Sequence, residues 1–280
     1  SEWEQEYTAQ AVKINNSGED QIQQLRKERI VAYFKDKTKT VNILQGVSKQ
    51  KRDFDIWDKE TRPATDNKLN IWVRDGWFEN DSTVLDEIRA EGADAPLAYA
   101  FVKKLRDPEL RSEIIKYLAA GLTLNTKGLP SSLEGEQAKK SMETRKALAK
   151  AAIDELIDRI CKESIVYLAG GNKVENGSIR DNIEDALQNI ADRQFTEFKN
   201  KGDFKEWDKA LTKGLANDPD ALKRIGWDKE AKDHPVAVEI LRFIGNNTRQ
   251  GKEIRSHFTK APYGWSQDAI DTIIVMLKNT

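Results

Sequence analysis

The chain reads as an α/β protein: a small Rossmann-like, mostly parallel sheet with a long antiparallel helical-hairpin insertion, followed by a C-terminal winged-helix-like (helix-turn-helix) unit truncated before its wing. Three observations predict this. Leu69–Val73, Leu97–Val102 and Ser164–Leu168 are apolar on both faces and alternate with helical stretches, as strands of a covered parallel sheet do. Between Val102 and Ser164 about sixty residues carry three-to-four spacing with one Gly-Leu-Pro-Ser-Ser turn in the middle. The last fifty residues hold three short amphipathic stretches, the third opening on Ser266-Gln267-Asp268 with Ile270, Ile273, Ile274 and Leu277 at i, i+3, i+4, i+7.

The expected organisation is a segment 1–66 of helices and a β-hairpin, an α/β domain 67–202 with its insertion at about 108–163, a helical linker 203–231, and the winged-helix-like domain 232–280. Glu2 to about Lys35 predicts helix, broken at Asn15-Asn16-Ser17-Gly18. Thr40–Leu44 and Asp53–Trp57 predict two strands of a hairpin about Gly46. Asp81-Ser82 begins a helix to Ala90. Pro108 opens one arm of the insertion, with Leu110, Ile114, Tyr117 or Leu118, Gly121 and Leu124 on one stripe. The returning arm offers Met142, Ala149, Ile153, Leu156 and Ile160. Ser178 to Phe198 predicts a helix against the sheet. In the C-terminal unit Pro235 starts helix one, which presents Val236, Ile240, Leu241 and Ile244; Gly251 precedes helix two, which presents Ile254 and Phe258.

Of 280 residues 38% are hydrophobic and 33% charged, and the mean hydropathy is −0.71. No apolar run approaches the roughly 18 residues of a membrane span. One cysteine, Cys161, excludes a disulfide framework, and a reducing cytoplasm is the expected compartment. With 46 Lys+Arg against 47 Asp+Glu, contact with nucleic acid would have to be local. The only histidines, His234 and His257, match no metal-ligand spacing with Cys161 and mark no nucleophile, so metal and triad chemistry are not expected.

No G-x-x-x-x-G-K-[ST] loop occurs. Ala169-Gly170-Gly171-Asn172-Lys173 follows a strand and precedes a helix but lacks the Lys-Ser or Lys-Thr pair, so it reads as a glycine turn. Arg74-Asp75-Gly76-Trp77 ends an apolar strand, where open α/β sheets bind ligands. A tight turn at Gly76 over a packed Trp77 is the favoured reading, and an enzyme with Asp75 in a cleft the lesser one. For duplex DNA the candidate contacts are Arg249, Lys252, Arg255 and Lys260 around helix two, with Ser266, Gln267 and Asp271 on helix three. Over 232–280 seven Lys/Arg face five Asp/Glu, so a lid that packs on a neighbour carries at least equal weight.

Taken together, Leu69–Trp77, the turn Ala120–Pro130, Glu134–Ala138, Met142–Arg145 and Pro262–Asp271 resemble the middle region of the BrxC/PglY family, the large P-loop ATPases of bacterial BREX phage-defence systems. The resemblance covers roughly Lys68 to Thr280. It implies an internal piece of a bacterial cytoplasmic protein whose whole form binds and hydrolyses ATP within a defence assembly. Its implied partners are its own ATPase core, neighbouring subunits, other BREX proteins and duplex DNA. The family's nucleotide loop has no counterpart here, so no ATP-contacting residue is carried over, no cofactor is expected in this chain, and it is expected to be catalytically silent.

Overall fold

The computed structural model describes residues 1–280 as a mixed α/β structure with a five-stranded sheet and ten α-helices. Helices α1 (Glu2–Ser17) and α2 (Glu19–Thr38) meet at Gly18, where a Cβ would lie 2.8 Å from the Ile14 Cα, so the chain turns too tightly for any side chain. Strands β1 (Ile43–Gln45) and β2 (Gln50–Arg52) form a small antiparallel hairpin. The main sheet has the order β3 (Phe54–Trp57), β4 (Leu69–Asp75), β5 (Ala98–Val102), β6 (Ile165–Leu168) and β7 (Lys173–Val174).

Two details of the sheet differ from expectation. Phe54–Trp57 does not pair with the strand at Ile43 but runs parallel to β4, with Ile56 opposite Ile71 and Trp57 opposite Trp72. The strand Ile165–Leu168 pairs antiparallel with β5, Tyr167 opposite Tyr99, so only β3, β4 and β5 are parallel. The insertion explains this reversal. A single crossover helix carries a chain back to the start of the sheet, whereas α4 (Asp107–Lys127) and α5 (Leu133–Lys162) go out and return to the end where β5 stopped.

Side chains alternate across the sheet as the pleat requires. Ile71, Val73, Ala98, Ala100, Val166 and Leu168 enter the large core with α2, α5 and α6 (Ile179–Gln194). Trp72, Tyr99, Phe101 and Tyr167 enter a second cluster under Val84 and Ile88 of α3 (Asp81–Ala90). The hairpin is braced rather than free. At about 1.5 Å per residue α5 is about 45 Å long, and α1 lies along the hairpin, Trp3 packing with Ala120 and Met142. Ion pairs Arg145–Glu4 (2.9 Å), Arg111–Glu19 (2.6 Å) and Arg29–Asp154 (2.6 Å) flank the seam. The buried stripe of α4 is Leu110, Ile114, Ala119, Ala120 and Thr123, whose small members let α1 and α5 approach.

The C-terminal helices are α8 (Pro235–Ile244), α9 (Gly251–Phe258) and α10 (Gln267–Asn279), and α10 also packs on α7 (Trp207–Leu215). Val236, Ala237 and Ile240 are buried, while Leu241 turns outward and is exposed. The group is pinned to the rest of the chain. The Ala261 amide donates to the Asp66 carbonyl, the Glu197 amide to the Pro262 carbonyl and the Trp265 indole to the Glu197 carbonyl. One apolar cluster of 47 buried residues runs from Ile14 to Met276 through sheet, hairpin, linker and C-terminal helices. No helix is long and apolar enough to cross a membrane.

Candidate functional site

The carboxyl ends of β3 and β4 open into a cleft of about 330 Å³, roofed by the first two turns of α2. Its walls include Arg26, Lys27 and Asp20 from α2, Asp58, Lys59 and Glu60 after β3, Arg74 and Asp75 at the end of β4, and Phe78 and Glu79 after it. The Arg74-Asp75-Gly76-Trp77 segment is therefore at a concave site, but much of its chemistry is committed. Arg74 lies over the Trp72 ring at 4.6 Å, gives two hydrogen bonds to Glu79 (2.7 and 2.6 Å) and one to Glu87 (2.7 Å). Burial pulls its pKa down, but the bonds to Glu79 and Glu87 outweigh burial and raise it. An Asp75 carboxylate oxygen accepts from the Trp77 and Phe78 amides at 2.9 and 3.0 Å, closing the turn. A Cβ on Gly76 would come within 3.0 Å of the Lys104 amide nitrogen, which is why the turn takes glycine. The Trp77 indole donates to Asp107 at 2.7 Å, at the root of the hairpin.

Arg26 is the exception. It is 7% exposed, sits over the Trp77 ring at 5.0 Å, and makes no hydrogen bond or ion pair. Burial lowers its pKa, opposed by the fields of Asp75, Asp107 and Glu19. Each of those acids is engaged elsewhere: Asp75 with the turn amides, Asp107 with Trp77, Glu19 with Arg111. Nothing in the local sequence marks Arg26, which stands in an ordinary charged helix 48 positions before Arg74.

The C-terminal candidates fall into two groups. Arg249, Lys252 and Lys260 border an open groove of about 660 Å³ with Asp66, Phe243, Glu253 and His257; Arg249 stacks on Phe243 at 4.5 Å, and Lys252 and Lys260 are exposed. Arg255 instead donates to Asp271 at 2.6 Å, and the Ser266 hydroxyl accepts from the Ala269 amide as the cap of α10. Gln267 is exposed beside that cap. Three of the six residues thus border one groove, while Arg255 and Ser266 are engaged within the helices. Arg255→Ala is expected to cost under about 1 kcal/mol, as for a half-exposed pair, checked by urea denaturation.

The glycine turn at Gly170-Gly171 joins β6 and β7, and the Gly170 amide donates to the Ile88 carbonyl at 2.8 Å, so it is closed to a phosphate. Cys161 is buried and its thiol pKa is pushed up by burial, which leaves it unreactive. The hairpin tip is built differently from the cleft: Pro130 folds over Gly135, where a Cβ would lie 2.8 Å from the Pro130 Cβ, and Ser132 caps α5. Leu129 and Leu133 stand out from that turn at 88% and 71% exposure.

No family model, no curated protein and no solved structure matches this chain.

Proposed function

We propose that this chain is a non-catalytic docking and assembly region of a larger P-loop ATPase of the BREX phage-defence type, working in the bacterial cytoplasm. In this reading the sheet is a Rossmann-like layer, the three last helices form a winged-helix type unit, and the hairpin reaches the ATPase core or a neighbouring subunit. The observation that carries it is the hairpin tip, where a capped, proline-braced turn holds two leucines in water on a stiff and braced arm. Apolar side chains held out by a rigid element favour burial against a partner, at about 25 cal/mol per Å² covered.

The test uses the full-length parent with a photo-crosslinking residue at Leu129. Cross-links to the ATPase core or a second subunit are expected, and Leu129→Asp with Leu133→Asp is expected to reduce assembly on a sizing column while leaving the melting temperature unchanged. An unaltered assembly, or ATP turnover by residues 1–280 alone, overturns the reading.

A second reading, duplex-DNA contact, rests on Arg249, Lys252 and Lys260 about their groove. Three phosphate contacts would make log K fall with log salt at a slope no steeper than about −3. Lys252→Ala with Lys260→Ala should abolish retention on duplex DNA and Arg255→Ala should not. No retention at low salt removes this reading.

A further inference from the structure

We propose that the cleft at the ends of β3 and β4 is a binding site for a small zwitterion of the amino-acid class, with Arg26 receiving its carboxylate. The unpartnered guanidinium is the core of the argument. Arg26 is more than nine-tenths buried as a residue and has no hydrogen bond within the chain, while its guanidinium nitrogens still reach the water of the cleft. Trp77 occupies one face of its plane, which leaves the N–H edges as the groups to be satisfied. That fork matches a carboxylate bidentately. The acids near it bond the turn amides, the Trp77 indole and Arg111, and none of them lies within hydrogen-bond reach of the Arg26 guanidinium.

The remaining walls set the class of ligand. Asp20, Asp58 and Glu60 line the same cavity, with Lys27 and Lys59. These three carboxylates stand with three cations, Arg26, Lys27 and Lys59, and such a balanced lining suits a zwitterion better than a multiply charged phosphate. Phe78, 62% exposed at the same cleft, offers an apolar surface for a side chain. A volume of about 330 Å³ is at the lower end of small-ligand pockets, enough for one amino acid and little more.

The probes are L-leucine, acetate and inorganic phosphate, titrated into the ¹⁵N-labelled chain while the Arg26 Nε–Hε signal is followed. Arg26→Lys identifies that signal by its loss. Leucine is expected to shift it saturably, acetate more weakly and phosphate least, and Asp58→Asn is expected to weaken leucine several-fold without changing acetate. Arg26→Leu is expected to abolish the rise in melting temperature that leucine produces in the parent sequence. A saturable shift with phosphate at least as tight as leucine, no saturable response to any probe, or an Arg26→Leu protein that responds like the parent would each overturn the proposal.

Discussion

Replacing Gly202 with alanine is expected to destabilise the chain by about 3 kcal/mol, the upper range for overpacking a buried site. Gly202 ends the short helical turn Phe198–Gly202 after α6 and is itself buried. A Cβ there would overlap the Trp265 ring at Cδ1 and stand 2.8 Å from its Cγ. The ring cannot yield easily. It is 1% exposed, lies flat on Phe258 at 4.8 Å with planes 4° apart, and is held through its indole N–H to Glu197. The Gly202 carbonyl in turn accepts from the Trp207 indole at 2.9 Å, so a shift of the turn would break a second anchor. Urea denaturation checks this: the midpoint should fall with the slope unchanged. In a Trp265→Leu background the same substitution should cost much less, and equal costs in both backgrounds would refute the clash.

Acidification from pH 7 to pH 4 is expected to remove about 3 kcal/mol of stability through His234 alone. His234 caps α8, its Nδ1 accepting from the Val236 amide at 3.1 Å, among the rings of Phe204, Trp207 and Trp227. Its proton therefore sits on Nε2, and protonating Nδ1 would set two donors against each other. Burial lowers the pKa from 6.5 to about 4. A folded-state pKa below the unfolded one means the contribution is present above pH 6.5, falls as pH drops below that value, and levels off only once pH has passed below about 4. Carboxylates add their own acid loss, so the comparison is with His234→Asn, which keeps a capping acceptor. Stability of that variant, followed by urea midpoint from pH 4 to 8, should fall less steeply than the parent's. Parallel curves would show that the imidazole does not titrate in this window.

Much of this architecture is written locally. Gly18 parts two helices, Ser132, Ser178 and Ser266 cap where an Ser precedes an apolar period, and Pro235 opens α8. What escaped a local reading is pairing. Gln50–Arg52 is polar and gives no strand signal, yet it is the partner of Ile43–Gln45, because Gly46 and Lys49 at positive φ close the turn one strand earlier than the apolar pattern suggests. Phe54–Trp57 then finds β4, a choice made by the sheet and not by its neighbours in sequence. The cleft divides the same way. Arg74, Asp75 and Trp77 announce it at a strand end, but Arg26 becomes distinctive only once α2 is laid over that end and every nearby acid has another partner.

The apolar cluster from Ile14 to Met276 bears on how the molecule melts. Phe195 and Phe198, which follow α6, hold the Arg52 guanidinium between them at 4.0 and 4.6 Å, and the same Phe195 ring closes over Gly264. Neither the strands nor the last three helices can leave without stranding aromatic faces in water. Calorimetry should accordingly record a single endotherm, and shortening the polypeptide to residues 232–280 should yield a species that binds hydrophobic dye.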